Sequence, residues 1–128
     1  MATIYRDNYV APAAKGTGAG AATIPLTAAD HGKLYTNKGA TGTVTFQLPA
    51  LADVPAGWFV EIYAMTAAQN VTVTAPTGKL VAFNNAAATS LTFSASSAII
   101  GNSARIVSTG AEYLAITSMP VSANETIA

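Results

Sequence analysis

Polar and apolar residues alternate with period two over residues 43–48. Val44, Phe46 and Leu48 point one way and Thr43, Thr45 and Gln47 the other, the pattern of a half-buried strand. Asn37-Lys38-Gly39 and Gly42 supply turn residues ahead of it, and Pro49 ends it by removing a ladder donor. The next apolar stretch is denser. Trp58, Val60, Ile62 and Ala64 share one face, Phe59, Tyr63 and Met65 share the other, and Glu61 is the only charge, so both faces are expected to meet protein. From residue 23 onward no helical period is sustained. Strands are predicted at 23–26, 33–36, 43–48, 58–66, 70–75, 80–83, 90–94, 103–108 and 112–117, with single helical turns allowed at 27–30 or 86–89. Turns are predicted at Asp30-His31-Gly32, Pro76-Thr77-Gly78, Asn84-Asn85, Gly101-Asn102 and Thr109-Gly110. Many short strands at this spacing predict an all-β fold, an antiparallel β-sandwich or jelly roll.

The pattern also divides the chain. Residues 1–22 read as an extended N-terminal arm, 23–117 as the β-domain and 118–128 as a C-terminal tail. In the arm, Ile4, Tyr5, Tyr9 and Val10 interleave with Arg6, Asp7 and Asn8, a mix able to add a strand to an exposed sheet edge. An alanine- and glycine-rich stretch follows, and roughly 12 extended residues at about 3.3 Å each would reach about 40 Å. Two readings stay open for the arm: a segment that docks on a partner, or a strand that returns to its own sheet.

Composition changes the picture in one direction. Charged residues are 9% of 128 and hydrophobic residues 51%, with six basic and six acidic side chains giving a net charge of zero. About a quarter of an ordinary domain is charged, so much of the apolar surface here is expected to be covered by other subunits, although many of the apolar residues are small alanines. There is no basic stripe to displace counterions from phosphates, which argues against a nucleic-acid partner. No apolar run approaches the roughly 18 to 20 residues of a membrane span, and Arg6 and Asp7 stand where a signal peptide needs its apolar region. No membrane association is expected, and synthesis in a cytoplasm is. The absence of cysteine excludes disulfide and thiolate chemistry.

The order Pro25-Leu26-Thr27-Ala28-Ala29-Asp30-His31-Gly32-Lys33-Leu34-Tyr35-Thr36-Asn37, followed by Gly39-Ala40-Thr41-Gly42-Thr43-Val44-Thr45-Phe46-Gln47-Leu48-Pro49, resembles small β-structured virion proteins of tailed bacteriophages. Gly57-Trp58-Phe59-Val60 and Gln69-Asn70-Val71-Thr72-Val73 match the two segments that follow in that group. The resemblance spans about residues 23–116. It implies a capsid decoration (cement) protein, a homotrimer seated on the outer surface of the phage head, bound to the major capsid protein and made in the bacterial host cytoplasm. A free chain of this length starting at Met1 fits that role better than a fragment of a tail fibre, where related segments also occur. On this reading Ile4, Tyr5, Arg6, Asn8, Tyr9 and Val10 would contact the capsid, and Phe59, Tyr63 and Met65 would face a neighbouring subunit.

Candidate chemistry is sparse. A hydrolytic triad would have to use His31, the single histidine, which reads as a turn residue between Asp30 and Gly32. The carboxylates Asp7, Asp30, Asp53, Glu61, Glu112 and Glu125 share no motif; Glu61, flanked by Val60 and Ile62, is expected to be buried and paired with Lys33, Lys79 or Arg105. One histidine and no cysteine leave no metal-ligand set, and residues 16–20, glycine-rich but without the lysine of a phosphate loop, read as linker. No enzyme activity and no cofactor or metal are expected. The alternative function is a receptor- or glycan-binding tail-fibre module, for which Trp58, Tyr5, Tyr9, Tyr35 and Tyr113 supply the aromatics; Trp58, in the most apolar strand, is expected in the core instead.

Overall fold

The computed structural model of the chain describes residues 21–66, 69–94, 99–118 and 125–128. Among the described residues eleven strands run in chain order: β1 Ala22–Pro25, β2 Leu34–Thr36, β3 Val44–Gln47, β4 Phe59–Tyr63, β5 Val71–Thr74, β6 Leu80–Ala82, β7 Asn85–Ala88, β8 Ser90–Phe93, β9 Ser103–Ser108, β10 Tyr113–Ser118 and β11 Glu125–Ile127. They form a five-stranded sheet in the order β1-β3-β5-β8-β11 and a six-stranded sheet in the order β2-β4-β9-β10-β6-β7. The chain folds as an all-β sandwich.

The expectation of antiparallel pairing is corrected: both sheets are mixed. β1 with β3, β3 with β5, β2 with β4 and β6 with β10 pair in parallel, while β5 with β8, β8 with β11, β4 with β9, β9 with β10 and β6 with β7 pair antiparallel. The cause is the path of the chain. From β1 to β6 it changes sheet at every strand, so the strand that follows in the same sheet arrives after a complete circuit and points the same way. Parallel strands need a long crossover because a hairpin cannot join them; for β1/β3, β2/β4 and β3/β5 the crossover contains one strand of the opposite sheet, and for β6/β10 it contains β7, β8 and β9. Hairpin pairing begins only with β6 and β7.

Alternation places the core between the sheets. Ile24, Phe46, Val73, Leu91 and Ile127 occupy one register row of the five-stranded sheet, and Ile62 and Ala104, Val60 and Ile106 pair across the six-stranded one. Apart from Ile127, which is partly buried against the core, these side chains are buried. At about 1.5–3 kcal/mol for a fully buried Val, Leu, Ile or Phe, they supply the main drive to fold. Tyr35 of β2 packs on Phe46 of β3 with ring centroids 5.6 Å apart, joining the two sheets. Trp58 lies in the core as expected; it meets Tyr113 edge-on at 6.1 Å and donates its indole N–H to the Ala28 carbonyl at 3.1 Å.

One expected helical turn holds, and three other boundaries differ from expectation. The single turn at 27–30 is present as the 3-10 turn Ala28–Asp30, in which Asp30 Oδ2 accepts the Thr27 N–H at 2.7 Å, and a second forms at Leu51–Asp53. Residues 85–88 are strand β7 rather than a helical turn, because pairing with β6 overrides the alanines' helical preference. Residues 125–127, assigned to a tail, add as β11 to the edge of the five-stranded sheet through Glu125↔Phe93, Thr126↔Thr92 and Ile127↔Leu91. The arm residues lie outside the described residues.

Candidate functional site

The two outward faces carry the side chains that the core does not use. Strand partners in register point to the same side of a sheet. On the five-stranded sheet this gives a row of five threonines, Thr23↔Thr45↔Thr72↔Thr92↔Thr126, one from each strand. Thr72 and Thr92 share a hydrogen bond between hydroxyls at 3.0 Å.

The six-stranded sheet presents the opposite chemistry. Phe59 pairs with Val107, Val107 with Leu114 and Leu114 with Val81, an apolar row across β4, β9, β10 and β6. The adjacent row carries Leu34, Glu61, Arg105 and Ile116. Ile116 is 60% exposed, and Tyr63 and Met65 are each 40% exposed. The three residues expected at a subunit contact, Phe59, Tyr63 and Met65, therefore stand together on the outward side of β4 and just beyond its end. Within the chain only the Trp58, Val60, Ile62 and Ala64 side of β4 is buried, and the Phe59, Tyr63 and Met65 side faces outward.

Glu61 is paired with Arg105, one of the three cations considered, at 3.4 Å, but the pair is not buried; the two side chains are 45% and 52% exposed. A surface pair of this kind stabilises little, because water screens it. Arg105 also lies over the Phe59 ring at 4.8 Å, so its stem and guanidinium shield part of the apolar row.

The end of the sheet is held by buried polar groups. Asn37 Oδ1 accepts the N–H groups of Met65 and Thr66 at 2.7 and 3.0 Å, and Thr66 Oγ1 donates to the Asn37 carbonyl at 3.0 Å. These bonds fix the chain beyond β4 and with it the position of Met65. Asp30, also buried, accepts a hydrogen bond from the Tyr35 hydroxyl. Burial, then that hydrogen bond and the charge of Asp30, push the Tyr35 phenol well above its ordinary value. Tyr113, fully buried and donating to the Pro49 carbonyl at 2.7 Å, is pushed up to about 12 by burial first and the Asp53 charge second.

At one end of the sandwich a depression of about 360 Å³ is lined by Ala28, His31, Pro55, Ala56, Gly57 and Trp58. His31 occupies a turn there. Its Nδ1 accepts the Phe59 N–H at 3.2 Å, which places the neutral ring's proton on Nε2, and its ring meets Phe59 edge-on at 4.9 Å. The lining brings no nucleophile or carboxylate to His31. Among the described residues no three His, Cys, Asp or Glu side chains cluster as metal ligands, and no helix is long and apolar enough to cross a membrane. Lys33 and Lys79 make no ion pair with Glu61, and Asp7 lies outside the described residues with the arm.

Sequence reasoning found the β4 part of the apolar face and missed the rest. Val81, Val107, Leu114 and Ile116 come from three distant strands, and only the register aligns them. Phe83 was also missed. It sits between β6 and β7 with φ of 48°, a left-handed backbone rarely adopted by an aromatic residue, and is 69% exposed. No family model, no curated protein and no solved structure matches the chain.

Proposed function

We propose that this chain is a structural virion protein, a capsid decoration protein that binds the outer surface of a tailed-phage head as a homotrimer and reinforces it. The observation that carries this reading is the apolar outward face of the six-stranded sheet, a surface built to be covered by protein. The resemblance of residues 23–116 to phage virion proteins supplies the setting. Many weak contacts repeated over a lattice stabilise the assembled shell by mass action, and the arm residues Ile4, Tyr5, Arg6, Asn8, Tyr9 and Val10 are assigned the contact with the major capsid protein.

The receptor- or glycan-binding reading needs exposed aromatic rings for sugars to stack on. Trp58, Tyr35 and Tyr113, three of the five aromatics it would use, are buried in the core. Tyr5 and Tyr9 fall outside the described residues. The decoration reading is therefore preferred.

Co-sedimentation with undecorated heads tests it. The full chain is expected to saturate the heads, and a chain lacking residues 1–10 to bind at least tenfold more weakly while keeping its mass and its thermal melt. Absence of binding by the full chain would overturn the reading, and undiminished binding by the truncated chain would move the contact from the arm to the β-domain.

A further inference from the structure

We infer that copies of this chain dock on one another through the outward face of the six-stranded sheet, around an axis that runs along the strands in front of β4 and β9, with Glu61 of each copy meeting Arg105 of the next. This deepens the homotrimer in the proposed function and rests on it for the number of copies.

Three observations lead to a second copy rather than another partner. The first is size. The strands β2, β4, β9, β10 and β6 cover about 24 Å across at about 4.8 Å per strand, and six residues extend about 20 Å along them. That is a footprint of about 480 Å² in projection, which a ring divides between two neighbours, so each contact is smaller than the roughly 800 Å² per partner of a stable pair and the two contacts hold each copy together.

The second is charge. Glu61 and Arg105 are direct cross-strand neighbours, on β4 and β9, so this row carries one negative and one positive side chain next to each other and no net charge of its own. A rotation about an axis parallel to the strands brings the β4 side of one copy onto the β9 side of the next. Opposite charges then meet at every contact, and the ring closes with the same contact repeated.

The third is the apolar row. The same rotation moves nothing along the strands, so Phe59 of one copy arrives at the level of the neighbour's row containing Val107 and Leu114. Apolar side chains meet apolar side chains, and Ile116 and Tyr63 extend the patch on either side. In the two register rows through Phe59 and Glu61 the cation is Arg105, already paired with Glu61, which gives a nucleic acid or an anionic lipid surface little to bind.

The experiment uses the purified full chain without heads, so its outcome does not depend on capsid binding. Sedimentation equilibrium at micromolar concentration is expected to give three times the chain mass of 12.9 kDa. Glu61→Arg places like charges at every contact and should weaken association at least tenfold. The double swap Glu61→Arg with Arg105→Glu restores opposite charges and should recover the trimer. Leu114→Asp should dissociate it, and Thr45→Asp, on the opposite face, should not. Circular dichroism melts within a few degrees of the wild type establish that the variants remain folded. A monomeric wild type overturns the inference, as does a Glu61→Arg chain that keeps its mass or a swap that fails to recover it. A chain that is trimeric and passes these tests yet does not bind heads would sink the capsid reading and leave this contact standing.

Discussion

The two outward faces of the sandwich have nearly the same backbone and opposite chemistry. One presents Thr23, Thr45, Thr72, Thr92 and Thr126 in register, and the other presents Phe59, Val107, Leu114 and Val81 in register. Threonine and valine have almost the same shape and both suit a strand, so β-propensity alone does not separate the faces. The difference is one hydroxyl per position. Threonine keeps a β-branched side chain against its neighbours and gives water a hydrogen-bonding group, whereas valine, leucine and phenylalanine leave water nothing to bind. A chain in which only 9% of residues are charged thus sets the solubility of a whole face with hydroxyls. The corresponding row of the other face has none.

This comparison concerns only the outer surfaces if both inner surfaces contribute equally to the core, and that can be broken first. Phe46→Ala empties the five-stranded side and Ile62→Ala the six-stranded side; both residues are fully buried. Truncations of this kind cost about 3–5 kcal/mol for phenylalanine and about 2–5 kcal/mol for isoleucine, depending on how far the site collapses. Urea denaturation of the two variants should show losses in these ranges. A loss below about 1 kcal/mol at either position would mean that the sheet concerned does not share the core.

How much of this was legible from the sequence follows from the range of each signal. The two faces of residues 43–48 and 58–65 could be read because alternation within a strand is local, and Trp58 was placed in the core because its strand is the most apolar. The parallel pairings could not, since they follow from the order in which strands change sheet, and nothing in 22–25 or 44–47 records a partner's direction. Strand β11 was missed because Glu125-Thr126-Ile127 is too short to show a period, and it acquires strand structure only from the open edge of β8. Of the candidate site, Phe59, Tyr63 and Met65 were legible as one face of one strand. Their alignment with Val107, Leu114 and Val81 depends on register across β9, β10 and β6, which a single strand's pattern does not contain.

The inner faces differ too, and alkaline pH sharpens that difference. Tyr35 and Tyr113 are both buried and both belong to the six-stranded sheet, and among the described residues the strands of the five-stranded sheet hold no tyrosine. Their phenols are pushed above the ordinary value of 10, Tyr113 to about 12. Below pH 10 both the folded and the unfolded chain hold these protons, and stability is at its full value. Between about 10 and about 12 the unfolded chain releases them while the folded chain keeps them, so stability falls as pH rises, by at most about 1.4 kcal/mol per pH unit for each tyrosine. The urea midpoint measured from pH 8 to 12 should therefore be level to about 10 and then decline. Tyr113→Phe should make the decline shallower, although the variant starts lower because the Pro49 carbonyl loses its donor. An unchanged slope in that variant would show that Tyr113 does not hold its proton as described.

The smallest effect belongs to the threonine row, and it bears most directly on the comparison between the faces. Thr72→Val removes one hydroxyl and keeps the β-branched shape. The hydrogen bond to Thr92 is lost, a net contribution of about 0.5–1.5 kcal/mol for a typical pair. Thr92 is only partly buried, so its freed hydroxyl turns to water and recovers much of that. Valine also packs against its strand neighbours at least as well as threonine does. The expected change in unfolding free energy is below about 1 kcal/mol, with the mass in solution unaltered. A loss above about 2 kcal/mol would mean that the hydroxyls act as one cooperative network rather than as independent solvated groups. Extending the change to Thr45, Thr72 and Thr92 together should still leave the fold intact, but it gives the five-stranded sheet an apolar row like that of the other face. That variant should associate beyond the wild-type mass in sedimentation. If it does not, an apolar row on a sheet of this width is insufficient for contact between copies, and the charges of Glu61 and Arg105 must supply the rest on the opposite face.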